Sequence, residues 1–213
     1  MKSILLGTTN PAKVKRFSQM LKDYDVTFYT LDDLNIKIEP QETGLTPEEN
    51  AVIKAKFYGT YYDAVICNDS GLYFDELELR DSRQPGLKIR TPFGKRLNDN
   101  EMIDYYSKLI HSLGGKVLSY YLDGIAVYHK GLISSFMEQS EAILASAFYM
   151  IDKPSSKMNE GWPLDSLSIN KETGHYFVDR KYDDKQEHIA LIDYRKRLIN
   201  FLVKALDLKK SST

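Results

Sequence analysis

The chain has 213 residues, 42% hydrophobic and 28% charged, which predicts one domain with a sizeable core over residues 1–208. The formal charge is −1 and both signs are interspersed, so we expect no nucleic-acid partner. No apolar run reaches about 18 residues, so we expect neither a signal peptide nor a membrane span. Cys67 is the only cysteine, which excludes an intrachain disulfide and predicts a buried thiol in a reducing, cytoplasmic compartment.

The first element is a short apolar strand, Ser3 to Leu6, which leads through a turn into a helix. Asn10 is a good N-cap, and Pro11 suits the first helical position because it has no N–H to leave unpaired. A helix N-terminus favours phosphate, so we expect free backbone donors there, and Lys13 adds a full charge one turn in. An ordinary strand-turn-helix corner is the alternative reading. The apolar face of this helix is predicted to contain Val14, Phe17 and Leu21.

A second helix start is marked by Thr46 and Glu49, which have the spacing of a capping box. Asn50 and Lys54 are four residues apart, so both can reach a ligand near the N-terminal end of that helix. Glu42 lies upstream in the loop, where a solvated carboxylate is the alternative reading. The helix is expected to pack through Ala51, Ala55, Tyr58 and Tyr62.

A third segment, Ala64 to Cys67, is a continuous apolar run typical of a buried strand, and it ends at Asn68 and Asp69. Ligands in open α/β sheets bind at the carboxyl ends of strands. With Glu42 nearby, Asp69 could hold Mg²⁺ through oxygen ligands that are shared with substrate phosphates. Asp69 is then the best candidate to orient or deprotonate an attacking water. An Asx-turn residue is the alternative reading of Asp69.

Two further helices are predicted in the rest of the chain. One is capped by Asn98 or Asp99, ends at Gly114-Gly115, and packs through Ile103, Tyr106, Ile110 and Leu113. The other extends from Asp184 to about Leu208, and residues 209–213 after it are expected to fray. Its packing residues are predicted to be Ile192, Ile199, Phe201, Leu202 and Leu206.

Between these helices the sequence is rich in β-branched and aromatic residues, which predicts strands. The predicted strands are Lys116 to Leu122, Ile125 to Tyr128, and Leu132 to about Met150. Asp123-Gly124 and Lys130-Gly131 are expected to be the turns between them. The result is an antiparallel meander that follows alternating strands and helices, and the predicted fold class is α/β.

The order of these segments resembles the noncanonical purine nucleoside triphosphate pyrophosphatases, the inosine triphosphate pyrophosphatase family. The residues that carry the resemblance are Thr8-x-Asn10-x-x-Lys13, Glu42-x-Gly44-x-Thr46-x-x-Glu49-Asn50-Ala51-x-x-Lys54-Ala55, Asp69-Ser70-Gly71-Leu72, and Pro85-Gly86 with Arg90. The resemblance implies an elongated mixed β-sheet flanked by helices that form two lobes, with the nucleotide in a central cleft. It also implies a homodimer.

The resemblance implies an activity and a division of labour. Members cleave a nucleoside triphosphate between the α- and β-phosphates and require Mg²⁺, which removes inosine and xanthosine nucleotides from the precursor pool. By similarity, Glu42 and Asp69 bind the metal, and Asp69 and Lys54 are the catalytic residues. The substrate-binding residues implied in this region are Thr8, Thr9, Asn10, Lys13, Asn50, Ser70, Gly71 and Arg90.

The chain departs from the family where members recognise the base. Trp162-Pro163-Leu164-Asp165-Ser166 stands where members have Phe-Gly-Tyr-Asp-Pro, and Asp193-Tyr194-Arg195 stands where they have Ser-His-Arg. We therefore expect Trp162 to stack on the base, with a core residue as the alternative. Base contacts are carried over to Asp165, Tyr194 and Arg195. Asn68 stands where bacterial members usually have an acidic residue, and Lys88-Ile89 replaces a Ser-Ala pair.

Three functions stay open on sequence alone. The first is an active Mg²⁺-dependent pyrophosphatase, with the family's preference or with a shifted base specificity. The second is a catalytically altered or inactive protein that binds nucleotides and regulates. The third is a hydrolase of modified pyrimidine nucleotides, since a Tyr in place of a His changes the donor pattern at the base edge.

Overall fold

The structure is a computed structural model that describes residues 1–138, 143–144, 146–179 and 189–211. Within these residues, strands and helices alternate at first, as in an α/β protein, and strands then predominate. The strands are β1 (Lys2–Leu6), β2 (Val26–Thr30), β3 (Ala64–Phe74), β4 (Lys116–His129), β5 (Leu132–Met137), β6 (Phe148–Ile151) and β7 (Ser168–Ile169). The helices are α1 (Pro11–Met20), α2 (Pro47–Tyr58), α3 (Asp99–Ser112) and α4 (Ile189–Leu206).

All of these strands belong to one mixed sheet. The strand order is β2-β1-β3-β4-β6-β7, and β5 pairs with β4 beside this path. β1 is parallel to both β2 and β3, whereas β4 is antiparallel to β5 and β6. A mixed sheet flanked by helices confirms the predicted α/β class.

The chain divides into two compact units. The first contains residues 1–70, 123–138 and 192–213, and the second contains residues 71–122 and 139–191. β3 and β4 each contribute residues to both units. The expectation of one domain over residues 1–208 stays a prediction.

In the first unit, β1 is buried on both faces, so successive side chains enter different clusters. Ile4 and Leu6 pack with Phe17 of α1 and with α4, whereas Leu5 packs with α2. The predicted face of α1 is confirmed, since Phe17 and Leu21 are buried and Val14 packs beside them. The apolar residues of α4 are buried as predicted at Leu202 and Leu206, although Ile192 is exposed.

The second unit is built around α3. Tyr106 and Ile110 of this helix are buried against β3 and β6, as the helical spacing predicts. Asn98 is the N-cap, and its reciprocal hydrogen bonds with Glu101 complete a capping box. The choice left open between Asn98 and Asp99 is therefore settled in favour of Asn98.

The predicted turn at Asp123-Gly124 is wrong, because β4 continues through it from Lys116 to His129. Position 124 requires glycine for another reason. A Cβ there would lie closer than 3.0 Å to the backbone of Pro47 at the start of α2. The other predicted turn is confirmed. Lys130 and Gly131 have φ values of 51° and 83° and join β4 to β5, since two positive φ values suit the twist of a hairpin.

Three other predicted boundaries differ from the structure. The strand expected from Leu132 to about Met150 is two strands, because β5 ends at Met137 and β6 begins at Phe148. β3 does not stop at Asp69 but continues to Phe74, and β2 has no counterpart among the predicted elements. The last helix is described only from Ile189 to Leu206, and the predicted part before residue 189 lies outside the described residues.

The tail predicted to fray is held by backbone hydrogen bonds as far as Ser211. The Lys209 carbonyl accepts from the Asp25 N–H at 3.0 Å, and the Ser211 N–H donates to Asp23 at 3.0 Å. These residues therefore differ from a frayed end, while residues 212–213 lie outside the described residues. No described helix has the length and apolar character to cross a membrane.

His129 gives the first unit a predicted pH dependence. Its Nδ1 lies 3.1 Å from the Ala205 carbonyl and is the donor there, so Nε2 accepts from Lys2 at 3.1 Å. Burial and the Lys2 charge lower the pKa of His129, so the folded state favours the neutral ring. Because the pKa is lower in the folded state, His129 stabilises that state at pH values above its unfolded pKa of about 6.5. This stabilisation is lost as the pH falls from that value through the folded pKa.

We therefore expect the free energy of unfolding to fall more steeply between about pH 7 and pH 5 for the unmodified chain than for His129→Gln. Denaturant titrations at several pH values measure this. His175→Gln, at an exposed loop position, is the matched control and should keep the slope of the unmodified chain. Equal slopes for His129→Gln and the unmodified chain would contradict the prediction.

Candidate active site

The start of α1 forms as predicted but with fewer free donors. Asn10 caps the helix and accepts from the Ala12 N–H at 2.9 Å, and Thr8 Oγ1 accepts from the Asn10 N–H at 3.2 Å. Pro11 has no N–H, and the Lys13 N–H bonds the Asn10 carbonyl. The expectation of free backbone donors in this first turn is therefore wrong, since the cap itself takes them. A phosphate bound at this end of the helix would contact mainly the Lys13 ammonium and the hydroxyls of Thr8 and Thr9. Thr8 is partly buried and Thr9 is exposed.

The side chain of Lys13 extends from α1 to β3. Its Nζ donates to the Asn68 carbonyl at 3.2 Å. Burial lowers the pKa of Lys13, and the nearby Lys54 charge lowers it further. A polyphosphate beside Lys13 would oppose both effects, so an anionic ligand is the natural partner of this ammonium.

The central feature of the first unit is Lys54, whose ammonium joins two carboxylates. Lys54 Nζ lies 2.6 Å from Glu42 Oε1 and 3.0 Å from Asp69 Oδ1. Burial alone would lower the pKa of Lys54, but the two carboxylates raise it more, so the side chain stays charged. Asp69 is only 9% exposed and lies within β3. The alternative reading of Asp69 as an Asx-turn residue is therefore wrong.

Asn50 holds the second oxygen of the same carboxylate. Its Nδ2 donates to Asp69 Oδ2 at 3.0 Å, and its Oδ1 accepts from the Gly44 N–H at 2.8 Å. The side chain is 2% exposed, so the structure places Asn50 behind Asp69, where it orients that carboxylate. The expected ligand contact of Asn50 thus differs from its observed role.

The capping box predicted for α2 is only half present. Thr46 accepts from the Glu49 N–H at 3.1 Å, as expected. The Glu49 carboxylate accepts instead from the Leu45 N–H at 2.6 Å, one residue before the cap. The loop that leads to α2 is fixed in this way, and α2 in turn carries Asn50 and Lys54.

Asn68 ties β3 to β4 directly beside Asp69. Its Nδ2 donates to the carbonyls of Asp69 at 2.9 Å and Gly124 at 3.1 Å. Two carbonyl partners require an N–H₂ group, which fixes the orientation of the amide. The Oδ1 atom is buried without a protein partner.

We expect Asn68→Asp to destabilise the chain by about 2–4 kcal/mol, because a carboxylate would face two carbonyl oxygens. Restoring the acidic residue that the family resemblance suggests would therefore weaken this protein. Denaturant unfolding measures the change. Asn35→Asp, at an exposed position with φ of 53° that Asp also tolerates, is the control and should stay within about 0.5 kcal/mol. A fully stable Asn68→Asp variant would contradict the prediction.

A second polar group of the first unit was missed by sequence reasoning. Asp123 accepts from Ser70 Oγ at 2.6 Å through one oxygen and pairs with Arg16 at 2.8 Å through the other. Arg16 also donates to the Tyr194 hydroxyl at 3.2 Å. Asp123 was assigned to a turn and Arg16 was given no role, so no pattern connected them. Arg195, next to Tyr194, is exposed.

The charges of this group stabilise one another. Burial alone would raise the pKa of Asp123, but Arg16 and the Ser70 hydroxyl lower it below its usual range. Asp123 correspondingly raises the pKa of Arg16. Burial, with the Asp123 charge, raises the pKa of Tyr194, so its hydroxyl keeps its proton. The group is therefore an ion pair with a neutral hydroxyl at each end.

The other predicted base and phosphate contacts belong to the second unit. Arg90 pairs with Asp99 at 2.7 Å, and Asp165 accepts from Asn159 at 3.0 Å. Trp162 is 39% exposed, so the alternative of a core residue is wrong. Gly71 is buried in β3.

The structure brings Glu42, Asn50 and Asp69 together around Lys54 in the first unit. Lys13 contacts the carbonyl of Asn68, next to Asp69, and Ser70 contacts Asp123. Among the described residues, no group of three or more His, Cys, Asp or Glu side chains is placed to hold a metal. Glu42 and Asp69 are two carboxylates that meet at one cation. Mg²⁺ is commonly held by one or two carboxylates together with substrate phosphates. This donor set therefore fits a magnesium ion that is shared with a bound polyphosphate.

Solved structures show the same fold. The Staphylococcus aureus Ham1 protein superposes with a TM-score of 0.70 at 20% identity, over 95% of this chain and 99% of that one. A HAM1 protein from Coxiella burnetii gives 0.71 at 20% identity, over 96% and 100% of the two chains. The class is thus an α/β protein with the architecture of the Ham1 proteins.

Sequence comparison gives the family. The model of the Ham1 family matches residues 4–128. The dITP/XTP pyrophosphatase of Thermoanaerobacter pseudethanolicus is 30% identical over 209 residues, which cover 97% of this chain and 99% of that one. That of Leptospira interrogans serovar Lai is 32% identical over 150 residues, 69% and 73% of the two chains. The chain belongs to the Ham1 family, which confirms the resemblance drawn from its motifs.

Proposed function

We propose that this chain is a Mg²⁺-dependent nucleoside triphosphate pyrophosphatase that releases a nucleoside monophosphate and pyrophosphate. One observation carries the proposal: Asp69 is a nearly buried carboxylate whose two oxygens are held by Lys54 and Asn50. A protein that only binds nucleotides has no need of a carboxylate oriented in this way. The full-length likeness to dITP/XTP pyrophosphatases supports the same activity.

In the proposed mechanism, Asp69 orients the attacking water and accepts its proton. Its remaining lone pairs are available for this, because Lys54 and Asn50 each occupy only one. Lys13 and Lys54 neutralise charge on the phosphates, which is the main requirement of phosphoryl chemistry. Magnesium, held by Glu42 and Asp69, would withdraw further charge from the phosphate oxygens.

The proposed substrates are noncanonical purine nucleotides such as ITP, dITP and XTP. Removing these from the nucleotide pool is the corresponding cellular role, and a cytoplasmic homodimer is the proposed state. The altered residues around Trp162 make a shifted base preference the second candidate, since base selection depends on paired polar groups.

The test is pyrophosphate release from a panel of nucleoside triphosphates that includes inosine, xanthosine, the four common bases and modified pyrimidines, with Mg²⁺ and then with EDTA. We expect release that requires Mg²⁺ and favours inosine and xanthosine. A preference for another base would support a shifted specificity. Binding without release from any substrate would support the regulatory alternative and contradict the enzyme.

Trp162 is expected to stack on the base. Trp162→Ala should raise KM by about tenfold with little change in kcat, because base stacking is worth about 1–3 kcal/mol and is formed before the chemical step. Steady-state kinetics on the best substrate measures the split. Phe93→Ala removes another exposed aromatic ring of the second unit, 75% exposed, and should leave KM unchanged. An unchanged KM for Trp162→Ala would contradict stacking.

A further inference from the structure

A continuous chain of polar contacts leads to Ser70, the residue after Asp69. It begins at the Tyr194 hydroxyl, passes through the Arg16 guanidinium and the Asp123 carboxylate, and ends at Ser70 Oγ, with distances of 3.2, 2.8 and 2.6 Å. The side chains of Arg16 and Asp123 are only 26% and 22% exposed, so the pair is largely shielded from water. The attraction between Arg16 and Asp123 is therefore stronger than that of an ion pair on the surface, where water weakens it.

The direction of the Ser70 hydrogen follows from this chain. A serine hydroxyl has one hydrogen to donate and two lone pairs to accept with. An ionised carboxylate can only accept, and the lowered pKa of Asp123 keeps it ionised. The hydrogen of Ser70 is therefore committed to Asp123. Since Ser70 itself is partly exposed, it presents only lone pairs to a ligand.

An acceptor selects its ligand group. Phosphate oxygens of a triphosphate at neutral pH accept hydrogen bonds and carry negative charge, so they are poor partners for a hydroxyl that cannot donate. Sugar hydroxyls and base N–H groups are donors and suit it. Ser70 thus differs in kind from Lys13 and Lys54, which are donors with full positive charge.

We propose that Asp123, fixed by Arg16 and Tyr194, is a positioning residue that holds Ser70 as an acceptor for a hydroxyl or N–H of the nucleoside. Tyr194 supports this chain from behind and does not read the base edge. The inference deepens the proposed function and rests on it for the identity of the ligand. It adds Arg16 and Asp123 to the residues on which the site depends.

A double-mutant cycle tests the proposal. Ser70→Ala, Asp123→Asn and the double variant are compared by calorimetry, with Mg²⁺, using the α,β-methylene analogue of ITP and inorganic tripolyphosphate as probes. We expect Ser70→Ala to raise the dissociation constant of the nucleotide analogue by about tenfold and that of tripolyphosphate by less than about twofold. The double variant should bind the analogue as Ser70→Ala alone does, within about twofold, because Asp123 acts through Ser70 and has no further effect once the Ser70 hydroxyl is gone. Additive effects, or an equal loss for tripolyphosphate, would overturn the proposal.

Tyr194→Phe is a second test that can be used if Asp123→Asn fails to fold. It keeps the ion pair between Arg16 and Asp123 and removes only the tyrosine hydroxyl. We expect the ratio of dissociation constants for the α,β-methylene analogues of ITP and ATP to stay within about twofold of the unmodified value. A larger change in that ratio would mean that Tyr194 reads the base, against the proposal. Asp81→Asn, which breaks an ion pair with Arg83 in the second unit, is the control for charge removal.

The readouts separate this inference from the proposed function. If the unmodified chain binds the analogue but releases no pyrophosphate from any triphosphate, the enzyme proposal fails and the binding cycle still decides the role of Asp123. If the unmodified chain does not bind the analogue at all, both proposals are overturned.

Discussion

Asp69→Asn is expected to lower kcat by about three orders of magnitude while KM changes little. The substitution keeps the size of the side chain and one oxygen for Lys54, but it removes the carboxylate that, in the proposed mechanism, accepts the proton of the attacking water. General-base catalysis by a positioned side chain is worth about 10²–10⁴-fold, which sets the expected loss. Pyrophosphate release under saturating substrate and Mg²⁺ is the measurement.

The matched control is Asp63→Asn, which removes an exposed carboxylate of the first unit. It should keep the turnover of the unmodified chain. Because the new N–H₂ group of Asp69→Asn would face the N–H₂ group of Asn50, that variant should lose about 1–3 kcal/mol of stability, so turnover is compared well below its thermal midpoint. Turnover of Asp69→Asn within about tenfold of the unmodified value would remove Asp69 from the catalytic role.

Gly124→Ala is expected to have the largest effect on stability, a loss of about 3 kcal/mol or more. The new Cβ would collide with the backbone at Pro47 and Glu48, and backbone cannot move aside as a flexible side chain can. Because α2 begins at Pro47 and carries Lys54, any shift that relieves the collision also displaces Lys54, a proposed catalytic residue. The free energy of unfolding, measured with denaturant, and the turnover should therefore both fall.

Gly131→Ala separates this collision from the general cost of replacing glycine. Gly131 has a φ of 83° and nothing within 4 Å of the position of a Cβ, so only backbone strain of about 1–2 kcal/mol is expected. Turnover should be unaffected there, since nothing lies within 4 Å of the new Cβ and no neighbouring residue has to move. If Gly124→Ala were no more costly than Gly131→Ala, the close approach would not be the reason for the glycine.

Local signals in the sequence predicted the helix starts and the strand before Asp69 well. Asn10, Thr46 and Asn98 all cap helices, because capping depends on residues two or three positions apart and these are visible in any sequence. The buried run from Ala64 to Cys67 was equally plain. What these signals could not give was the length of β3, which continues past polar residues because partners on β4 and α2 satisfy them.

The partners of polar side chains could not be predicted in the same way. Asp123 and Gly124 have the composition of a turn, and only contacts with α1 and α2 reveal a strand that carries an ion pair and a close backbone approach. Asn50 was expected to face a ligand, but its partners are Gly44 and Asp69. Helical spacing tells which side of a helix a residue occupies and leaves open what lies opposite.

The lone cysteine provides a natural reporter of local opening. Cys67 is 1% exposed and precedes Asn68 and Asp69 in β3, and burial raises the pKa of its thiol to about 12. A thiol reagent can therefore react only when this strand separates from its neighbours and the thiolate forms. The alkylation rate of the unmodified chain would then measure, without any engineered probe, how often the strand that carries the proposed catalytic carboxylate opens, and how far a bound nucleotide suppresses that opening.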